Sequence, residues 1–536
     1  MELTRWIAKD GLRKKAKRDV TKRFQTARNE YKPTTQSLTM TTRNMQAAGL
    51  KLTKEHSKEA DSTDFLIYCR KALHDQFSYL RRNVLESNQM GFIYGPPGNG
   101  KSTTALAFAL SDCVDEHWTV TWLHLSRYDF PNLMRIKKNT IETVNLIHDD
   151  DELTDWLDDV QGAHLLFVDG FVQNRDEKHT TFLHACTSWK TANKKERRLV
   201  VTSSMSFAPR VDYDFTAKFT MTNHCVFSWT FEEYSKAVAQ DEFWEQVKPR
   251  VLDASTSSED ASLSSTREEL LKPKYHFAGV SCRFMFGLPT HEVIQAILHS
   301  VRLPDNLEPY LLGTMGDRFD QAVNRLLGLD SDFRRFVVSE FASIQCASRL
   351  GYEMVLRYAD ICSRQNNPHL MGWIFEMFVF SCLLTSKTKS IEFLNVSKGV
   401  KEEWPKIDQL KVVDPLAVEF DINGVSEGIW YQPKKWNQGG YDAFFIDIPQ
   451  KFVRFVQITN AVEHDLRLDY MAQVLNTIPK DCKIDQVEVV FIISKQKAEL
   501  FEIGDVTGRL KDHGFGTPDE AKRNCKVLAL DYGWTF

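Results

Sequence analysis

Apolar and polar positions follow one another along this chain in patterns that predict successive sheet and helix layers. From about residue 63 to 250, short apolar stretches of strand length alternate with helical stretches, which indicates an α/β sheet. Residues 270–365 carry apolar positions at helical period. From about residue 366 the pattern predicts one apolar helix, then strands, then a helix and a strand again. No internal repeat is visible.

These changes of pattern divide the chain into predicted segments. They are a basic N-terminal arm at 1–62, an α/β core at 63–252, a Ser-rich mobile segment at 253–269, a helical extension at 270–365 and a second α/β domain at 366–536. The arm contains the basic run GLRKKAKR. Such a run is typical of a solvated arm, and also of a nuclear-import signal or a phosphate-binding arm.

Composition removes several classes of protein from consideration. The net charge of -4 gives no global basic signal for nucleic acid. The 10 cysteines form no Cys-x-x-Cys pair, so neither a zinc site nor a disulfide framework is predicted, and a reducing compartment is favoured. No signal peptide is visible, and no segment approaches the roughly 20 apolar residues of a membrane span. We therefore expect an intracellular site of action and no membrane partner.

A phosphate-binding motif opens the first α/β segment. GFIYGPPGNGKSTT, residues 91–104, places G-x-x-x-x-G-K-S between an apolar strand and a helix. Glycines let backbone N–H groups close around phosphate oxygens, while the lysine reaches the β and γ phosphates and the serine holds magnesium. The sequence therefore predicts a site for ATP or GTP with Mg²⁺. Its predicted residues are Gly95, Gly98, Gly100, Lys101, Ser102 and Thr103.

The partner strand of this motif is AHLLFVDG, residues 163–170, which ends in Asp169. We expect Asp169 to bind magnesium together with Ser102. Gly170 follows at the position where such strands often have a glutamate that activates the attacking water. Hydrolysis is therefore expected to be slow, with Asp176 or Glu177 in the next loop as a substitute base.

Two further positions are candidate nucleotide sensors. The apolar strand RRLVVTS ends in the hydroxyl residues Thr202 and Ser203, one of which is either a γ-phosphate sensor or an ordinary strand-end residue. Arg283 opens a helical stretch in YHFAGVSCRFMFG, residues 275–287. It is either a second sensor that reaches the nucleotide or an arginine engaged in a surface salt bridge.

A second set of polar residues lies in the C-terminal segment. The helix NPHLMGWIFEMFVFSCLL, residues 367–384, is apolar nearly all round but contains Glu376. A buried carboxylate is unfavourable unless it is paired, protonated or beside a metal, so Glu376 is either salt-bridged or functional. A hairpin turning at Pro449 and Gln450 would place Asp442 directly opposite Gln457. That pair either presents oxygen ligands to a hard cation, Mg²⁺ or Mn²⁺, or is an ordinary polar cross-strand pair.

The stretch NAVEH follows the second strand of this hairpin. Asn460 is placed to cap a helix, and Glu463 would complete a capping box. This prediction puts His464 in the first helical turn, near the strand end. There it would contact phosphate or assist proton transfer, or would simply be exposed.

A buried glutamate on a helix, an aspartate on a strand, a polar residue opposite it and a following helix resemble the PD-(D/E)XK nuclease core. The combination with an upstream P-loop domain resembles the Crinkler effectors of oomycetes and fungi and the related retrotransposon hot spot proteins of trypanosomes. The resemblance spans about residues 63–500. It rests on Gly95–Ser102, LLFVDG, AGVSCRFMFG, Glu376 in GWIFE, GGYDA, and QITN with His464.

The resemblance implies an NTPase domain coupled to a nuclease-like domain in which Glu376, Asp442 and Gln457 are site residues and DNA is the partner. It also implies delivery into host cells, action in the host nucleus, host nuclear proteins as partners and promotion of cell death. Gln457–Thr459 stands where Glu-x-Lys is expected. Either Lys434, Lys435 or Lys451 would then supply the lost positive charge, or all three are simply solvated. We expect a nucleotide- and metal-dependent DNA endonuclease; the alternative is a nucleotide-switched binding effector with a degenerate nuclease domain.

Overall fold

The structure is a computed structural model. The residues that it describes are 38–41, 45, 48, 50, 64–112, 118–125, 131–137, 140–145, 149–172, 177–205, 220–254, 266–304, 306–311, 324–347, 349–363, 368–385, 390–407, 410–414, 428–433, 440–479 and 482–531. The basic run of the arm, most of the Ser-rich segment, Asp176, Lys434 and Lys435 lie outside these ranges. Among the helices that are described, none has both the length and the apolar character needed to cross a bilayer.

Part of the predicted N-terminal arm is joined to the first α/β domain. Strand β1 (Leu38–Thr41) pairs antiparallel with β2 (Asp64–Ile67). Ala48 is buried, and its carbonyl oxygen accepts a hydrogen bond from Trp122 Nε1 at 3.1 Å. The domain thus begins before residue 63, because these short apolar stretches cover a buried tryptophan.

A seven-stranded sheet forms the centre of the first domain. Its strands are β3 (Met90–Tyr94), β4 (Thr119–His124), β5 (Asn132–Lys137), β6 (Thr140–Asn145), β7 (His164–Phe171), β8 (Arg197–Ser203) and β9 (Met221–Cys225). Their order is β6-β5-β4-β7-β8-β3-β9, with β5 and β6 as an antiparallel hairpin beside five parallel strands. The helices are α1 (Lys71–Tyr79), extended by a π-helical turn (Leu80–Glu86), α2 (Lys101–Asp112), α3 (Asp150–Asp158) and α4 (Glu177–Ala192).

Alternate strand residues of this sheet join two different apolar clusters. Ile93 and Phe167 belong to one cluster, while their neighbours Phe92 and Leu166 belong to the other. Both faces of the sheet are therefore covered, which is the usual condition for parallel strands.

The helical extension also contains a small hairpin. Its helices are α5 (Phe231–Val238), α6 (Asp241–Leu252), α7 (Arg267–Ala278), a π-helical turn (Arg283–Gly287), α8 (Thr290–Arg302), α9 (Glu308–Leu311), α10 (Glu340–Ala347) and α11 (Tyr352–Ser363). Strands β10 (Leu327–Leu329) and β11 (Arg335–Val337) pair antiparallel. The helical period predicted for 270–365 is thus interrupted at 327–337, where apolar residues pair across the hairpin, and the next helix starts only at Glu340.

The C-terminal domain begins with the predicted apolar helix, α12 (Pro368–Thr385). An eight-stranded mixed sheet follows, with strand order β13-β12-β21-β19-β17-β16-β15-β14. Its strands are β12 (Ser390–Asn395), β13 (Val400–Pro405), β14 (Leu410–Val413), β15 (Ile429–Pro433), β16 (Ala443–Asp447), β17 (Phe452–Thr459), β19 (Gln486–Ser494) and β21 (Lys526–Leu530). A parallel pair of β18 (Glu463–Arg467) and β20 (Glu502–Thr507) and the helices α13 (Leu468–Thr477) and α14 (Pro518–Asn524) complete it.

The prediction of a helix at His464 is wrong. His464 lies in β18, which pairs with β20, and α13 begins only at Leu468. A capping box is a local signal for a helix start. Here pairing with strand β20 decides the conformation instead. His464 Nδ1 lies 2.9 Å from the carbonyl oxygen of Asp465, and its ring contacts Phe491.

One apolar cluster joins the helical extension to the C-terminal sheet. It runs from Tyr234 and Phe277 in the extension through Phe375 on α12 to Ile458 and Ile492 in the sheet. A separate cluster covers the other face, with Phe455 and Phe491 among its members. Because the extension and one sheet face share a core, α12 is held between the two.

Candidate functional site

Glycines shape the phosphate loop between β3 and α2. Gly95, Gly98 and Gly100 have φ angles of 146°, 82° and 91°, in a region that side chains disfavour. The Lys101 ammonium donates hydrogen bonds to the carbonyl oxygens of Gly95 at 2.9 Å and Pro96 at 2.7 Å. The loop is therefore folded around the lysine that is expected to contact phosphate.

Asp169 collects hydrogen bonds from three neighbouring elements. Ser102 Oγ on α2 donates at 2.5 Å, Thr202 Oγ1 on β8 donates to the same carboxylate oxygen, and His124 Nδ1 on β4 lies 2.9 Å from the other. Burial by itself would raise the pKa of Asp169, but His124, Ser102 and Thr202 together hold that pKa below its usual value. The group is an ionised carboxylate beside the phosphate loop, as a magnesium ligand must be. Thr103 lies half-buried in the first turn of α2.

Arg283 lies against the phosphate loop. Its backbone N–H donates to the carbonyl oxygen of Gly98 at 3.0 Å, and a Cβ on Gly98 would lie 2.8 Å from the Cβ of Arg283. Burial and the charge of Arg283 together lower the pKa of Lys101 to about 7, although the charge of Asp169 opposes the shift. The charges of Lys101 and Arg283 thus interact beside the phosphate loop, where the negative charge of a bound polyphosphate would stabilise both.

Arg70 connects the phosphate loop to the chain that follows β9. It lies directly before α1 and is buried. Its guanidinium donates to the carbonyl oxygens of Phe227 at 2.8 Å and Asn99 at 3.4 Å, and to Glu233 Oε2 at 3.0 Å. Arg70 therefore holds the loop, the strand end and α5 in one arrangement.

Sequence reasoning missed both Arg70 and His124. Neither residue belongs to a motif, and His124 is next to Asp169 only because β4 and β7 are neighbouring parallel strands. The one available signal was that His124 ends an apolar strand in the same domain. Glu177 begins α4, but its side chain is outside the described part of the structure.

The second site has the predicted hairpin register. Ala443 pairs with Val456, and this register continued by one residue sets Asp442 against Gln457. Gln457 Nε2 donates to Asp442 Oδ2 at 2.9 Å, and the backbone N–H of Ile458 donates to the same oxygen at 2.5 Å. The pair therefore forms through the carboxylate oxygen of Asp442 and the amide nitrogen of Gln457.

Glu376 on α12 belongs to the same group of acidic side chains. Burial raises its pKa well above the usual value, and the charges of Glu340 and Asp442 raise it further. Burial also raises the pKa of Asp442 to about 8, where the N–H of Ile458 opposes the shift and Glu340 adds to it. Glu376 Oε2 and Gln457 Oε1 are buried and have no hydrogen-bond partner. These two oxygens are the groups that a bound cation would satisfy.

Glu340 and His276 are two residues near this site that sequence reasoning missed. Glu340 begins α10, and His276 Nδ1 on α7 lies 2.9 Å from Glu340 Oε1. Only the packing of α7, α10 and α12 brings them to the carboxylates, and no sequence spacing signals it. Within the described residues, no set of three or more His, Cys, Asp or Glu side chains is arranged to hold a metal. A cation here would therefore use two carboxylates and the Gln457 amide.

Lys451 does not lie beside these carboxylates. It occupies the turn at the opposite end of the β16–β17 hairpin from Asp442, with φ of 51°, and its ammonium is 3.3 Å from Asp485. The hypothesis that Lys451 replaces the missing nuclease lysine is thus inconsistent with the geometry. The contacts given above for His464 are with Phe491 and within the two-stranded sheet of β18 and β20.

The loop, the Asp169 site and the sheet order together define the first domain as an α/β P-loop NTPase domain. A family model described as "Novel STAND NTPase 3" matches residues 74–243, which contain these elements. No curated protein sequence matches the chain.

Several solved structures are similar to part of the chain. The Thermotoga maritima RuvB Holliday junction branch migration motor is 13% identical, with 50% of this chain and 92% of RuvB covered at a TM-score of 0.27. C. elegans PCH-2 is 13% identical, with 45% and 65% covered and a TM-score of 0.24. The Aeropyrum pernix ORC1 protein in complex with DNA is 13% identical, with 63% and 88% covered and a TM-score of 0.27. Likenesses of this strength say nothing about substrate.

Proposed function

We propose that this chain is a nucleotide-gated, metal-dependent DNA endonuclease. The observation that carries the proposal is the meeting of Asp442 and Gln457 on a hairpin with Glu376 on the helix that precedes the sheet. Support comes from the succession α12, β15, β16, β17, α13 and β19, in which β12–β14 are inserted after α12 and β18 before α13. Strands β15–β17 are antiparallel and β19 is parallel to β17. A PD-(D/E)XK core, which the chain resembles, is expected to have such a succession.

The donor set of this site fits a hard divalent cation. Glu376 Oε2 and Gln457 Oε1 are buried oxygens with no partner, and Asp442 lies beside them. Oxygen-rich sites of this kind suit Mg²⁺ or Mn²⁺. Glu376, Asp442 and Gln457 would hold the ion. A bound ion would polarise the scissile phosphate and lower the pKa of a water molecule.

A continuous set of contacts supports gating by nucleotide. Arg283 follows the turn at Gly279, and a Cβ on Gly279 would lie 1.8 Å from the carbonyl oxygen of Val338. Val280 N–H donates to that same oxygen at 3.0 Å. Glu340, which raises the pKa of Glu376, comes two residues after Val338. A shift of Arg283 on nucleotide binding would therefore reach the carboxylates through tightly packed backbone.

The resemblance to Crinkler effectors is the basis for proposing where the protein acts and what it does there. On that basis the protein would act in a host nucleus, where it damages DNA, contacts host nuclear proteins and promotes cell death. The partners that follow are a nucleoside triphosphate and DNA.

A second candidate function is a nucleotide-switched DNA- or protein-binding module. It is favoured by the Gln457 amide, which donates to Asp442 at 2.9 Å where a nuclease usually presents an acidic ligand followed by a lysine. Binding without cleavage would then be the output, and for DNA it would weaken as salt increases.

Plasmid nicking separates the two candidates. The wild type, Asp442→Ala and Lys101→Ala would be assayed with Mg²⁺, Mn²⁺ or EDTA, with and without ATP. Asp447→Ala, at the other end of strand β16, is the matched control. The nuclease proposal expects nicking by the wild type and the control, none with EDTA or Asp442→Ala, and loss of the ATP effect in Lys101→Ala. If the wild type never nicks, or if Asp442→Ala nicks equally, the binding module replaces it.

A further inference from the structure

The residue after Asp169 cannot be the water-activating glutamate that many P-loop NTPases have there. Gly170 has φ of 78°, a conformation that side chains rarely adopt. A Cβ at this position would lie 2.7 Å from the carbonyl oxygen of Leu125. The β7–β8 ladder also shifts register between Val168 and Phe171. The backbone therefore disfavours a side chain at 170, and a group that positions the attacking water would have to come from another position.

The imidazole of His124 lies in the place left by that side chain. His124 is the cross-strand partner of Asp169, since β4 and β7 are parallel neighbours. Its Cε1 atom is 3.6 Å from the position of a Cβ on Gly170, and its Nδ1 atom is 2.9 Å from Asp169 Oδ2. Its side chain is 20% exposed, so the ring borders the site and is not sealed in the core.

The contact with Asp169 determines how the ring is oriented. In a neutral imidazole, donation from Nδ1–H to the carboxylate leaves Nε2 of His124 with a lone pair. Nε2 can then accept a hydrogen bond from a water molecule at the edge of the phosphate loop. A histidine held in this way can orient a nucleophile, as water-positioning residues do in other P-loop NTPases.

We propose that His124 is the water-positioning residue for nucleotide hydrolysis in this chain. The proposal rests on the NTPase part of the proposed function. The water oxygen bonds to the γ-phosphorus while the bond from that phosphorus to the β–γ bridging oxygen breaks. The products are nucleoside diphosphate and inorganic phosphate, and the proton of the water leaves with a phosphate oxygen. His124 orients the water and need not keep the proton.

The test compares His124→Ala and His124→Gln with His184→Ala, a control at an exposed position on α4. Phosphate release is measured in a single turnover with ATP and Mg²⁺, and nucleotide affinity is measured separately with a fluorescent ATP analogue. We expect release by His124→Ala to be about 100-fold slower, the loss typical of a misplaced nucleophile. Affinity should remain within about twofold of the wild type, and His124→Gln should recover part of the rate through its amide oxygen.

Three outcomes overturn the proposal. The first is release by His124→Ala that is as fast as or faster than that of the wild type. The second is a loss of affinity equal to the loss of rate, because His124 would then only support Asp169 or the loop. The third is no hydrolysis by the wild type, which also removes the NTPase part of the proposed function. Failure of plasmid nicking alone removes the nuclease part and leaves His124 in place.

Discussion

Asp169 and Asp442 are both acidic residues near strand ends, but their surroundings differ. The surroundings of Asp169 stabilise its ionised form, whereas those of Asp442 destabilise it. Asp169 receives hydrogen bonds at both carboxylate oxygens, from Ser102 and Thr202 at one and His124 at the other. Asp442 receives two at one oxygen, from Gln457 and the N–H of Ile458. The pKa of Asp169 is lowered in spite of burial, whereas burial and Glu340 raise that of Asp442 to about 8.

This difference means that the protein itself stabilises ionised Asp169, whereas ionised Asp442 would need a bound cation. Donors on α2, β4 and β8 stabilise ionised Asp169 within the protein itself. Asp442 and Glu376 instead raise each other's cost of ionisation, and a divalent cation would reverse that. Similar residues at similar positions therefore lead to different requirements, which mutation and pH can test.

The largest expected effect belongs to the first site alone. Lys101→Ala should reduce ATP affinity at least about 100-fold, because it removes the charge that faces the phosphates. The two hydrogen bonds to Gly95 and Pro96 are lost as well. Isothermal titration with ATP and Mg²⁺ measures the change, and far-UV circular dichroism checks the fold. Unchanged affinity would contradict the assignment of the phosphate loop.

Neutral replacements should affect the two aspartates differently. Asp169→Asn should lower the free energy of unfolding by about 3 kcal/mol, because an amide cannot accept at both positions and leaves a buried donor unpaired. Asp442→Asn should instead raise it, since one amide oxygen can accept both bonds now made to Oδ2 and asparagine avoids the cost of burying a group that ionises on unfolding at pH 7. Urea unfolding at pH 7 in EDTA measures both variants. Equal losses of unfolding free energy in the two variants would contradict this difference between the two sites.

The pH dependence should follow the direction of the Asp442 shift. Its folded pKa of about 8 exceeds the ordinary value of 3.8, so the stabilisation is complete below 3.8 and is lost as pH rises towards 8. Within that window the wild type should lose up to about 1.4 kcal/mol per pH unit relative to Asp442→Asn, the slope for one proton. Parallel pH profiles of the two proteins in EDTA would contradict the raised pKa.

The smallest effect concerns the glycine beside Asp169. Gly170→Ala and Gly162→Ala both force a side chain into positive φ, at 78° and 84°, which costs about 1 kcal/mol. Only Gly170 has a backbone oxygen 2.7 Å from the added Cβ, while Gly162 has nothing within 4 Å. Gly170→Ala should therefore lose about 1 kcal/mol more in urea unfolding, a typical price of local overpacking. Equal losses would mean that space at 170 is not restricted.

The sequence by itself determined the parts of this protein that depend on short-range pattern. The phosphate loop, the apolar helix with Glu376 and the register that sets Asp442 against Gln457 are present as predicted. The predicted strand with Asp169 is present too, but it continues to Phe171. Loop motifs and hairpin registers are set by neighbours in the chain and by a period of two residues, so they can be read without a fold.

Only the tertiary structure decided which distant residues meet at these sites. His124 contacts Asp169 through strand order, and His276 and Glu340 approach the carboxylates through helix packing. A strand partner also overrode the capping signal near His464. The physical reason is that such contacts are selected by burial of apolar surface over the whole fold, and burial of this kind leaves no fixed spacing in the sequence.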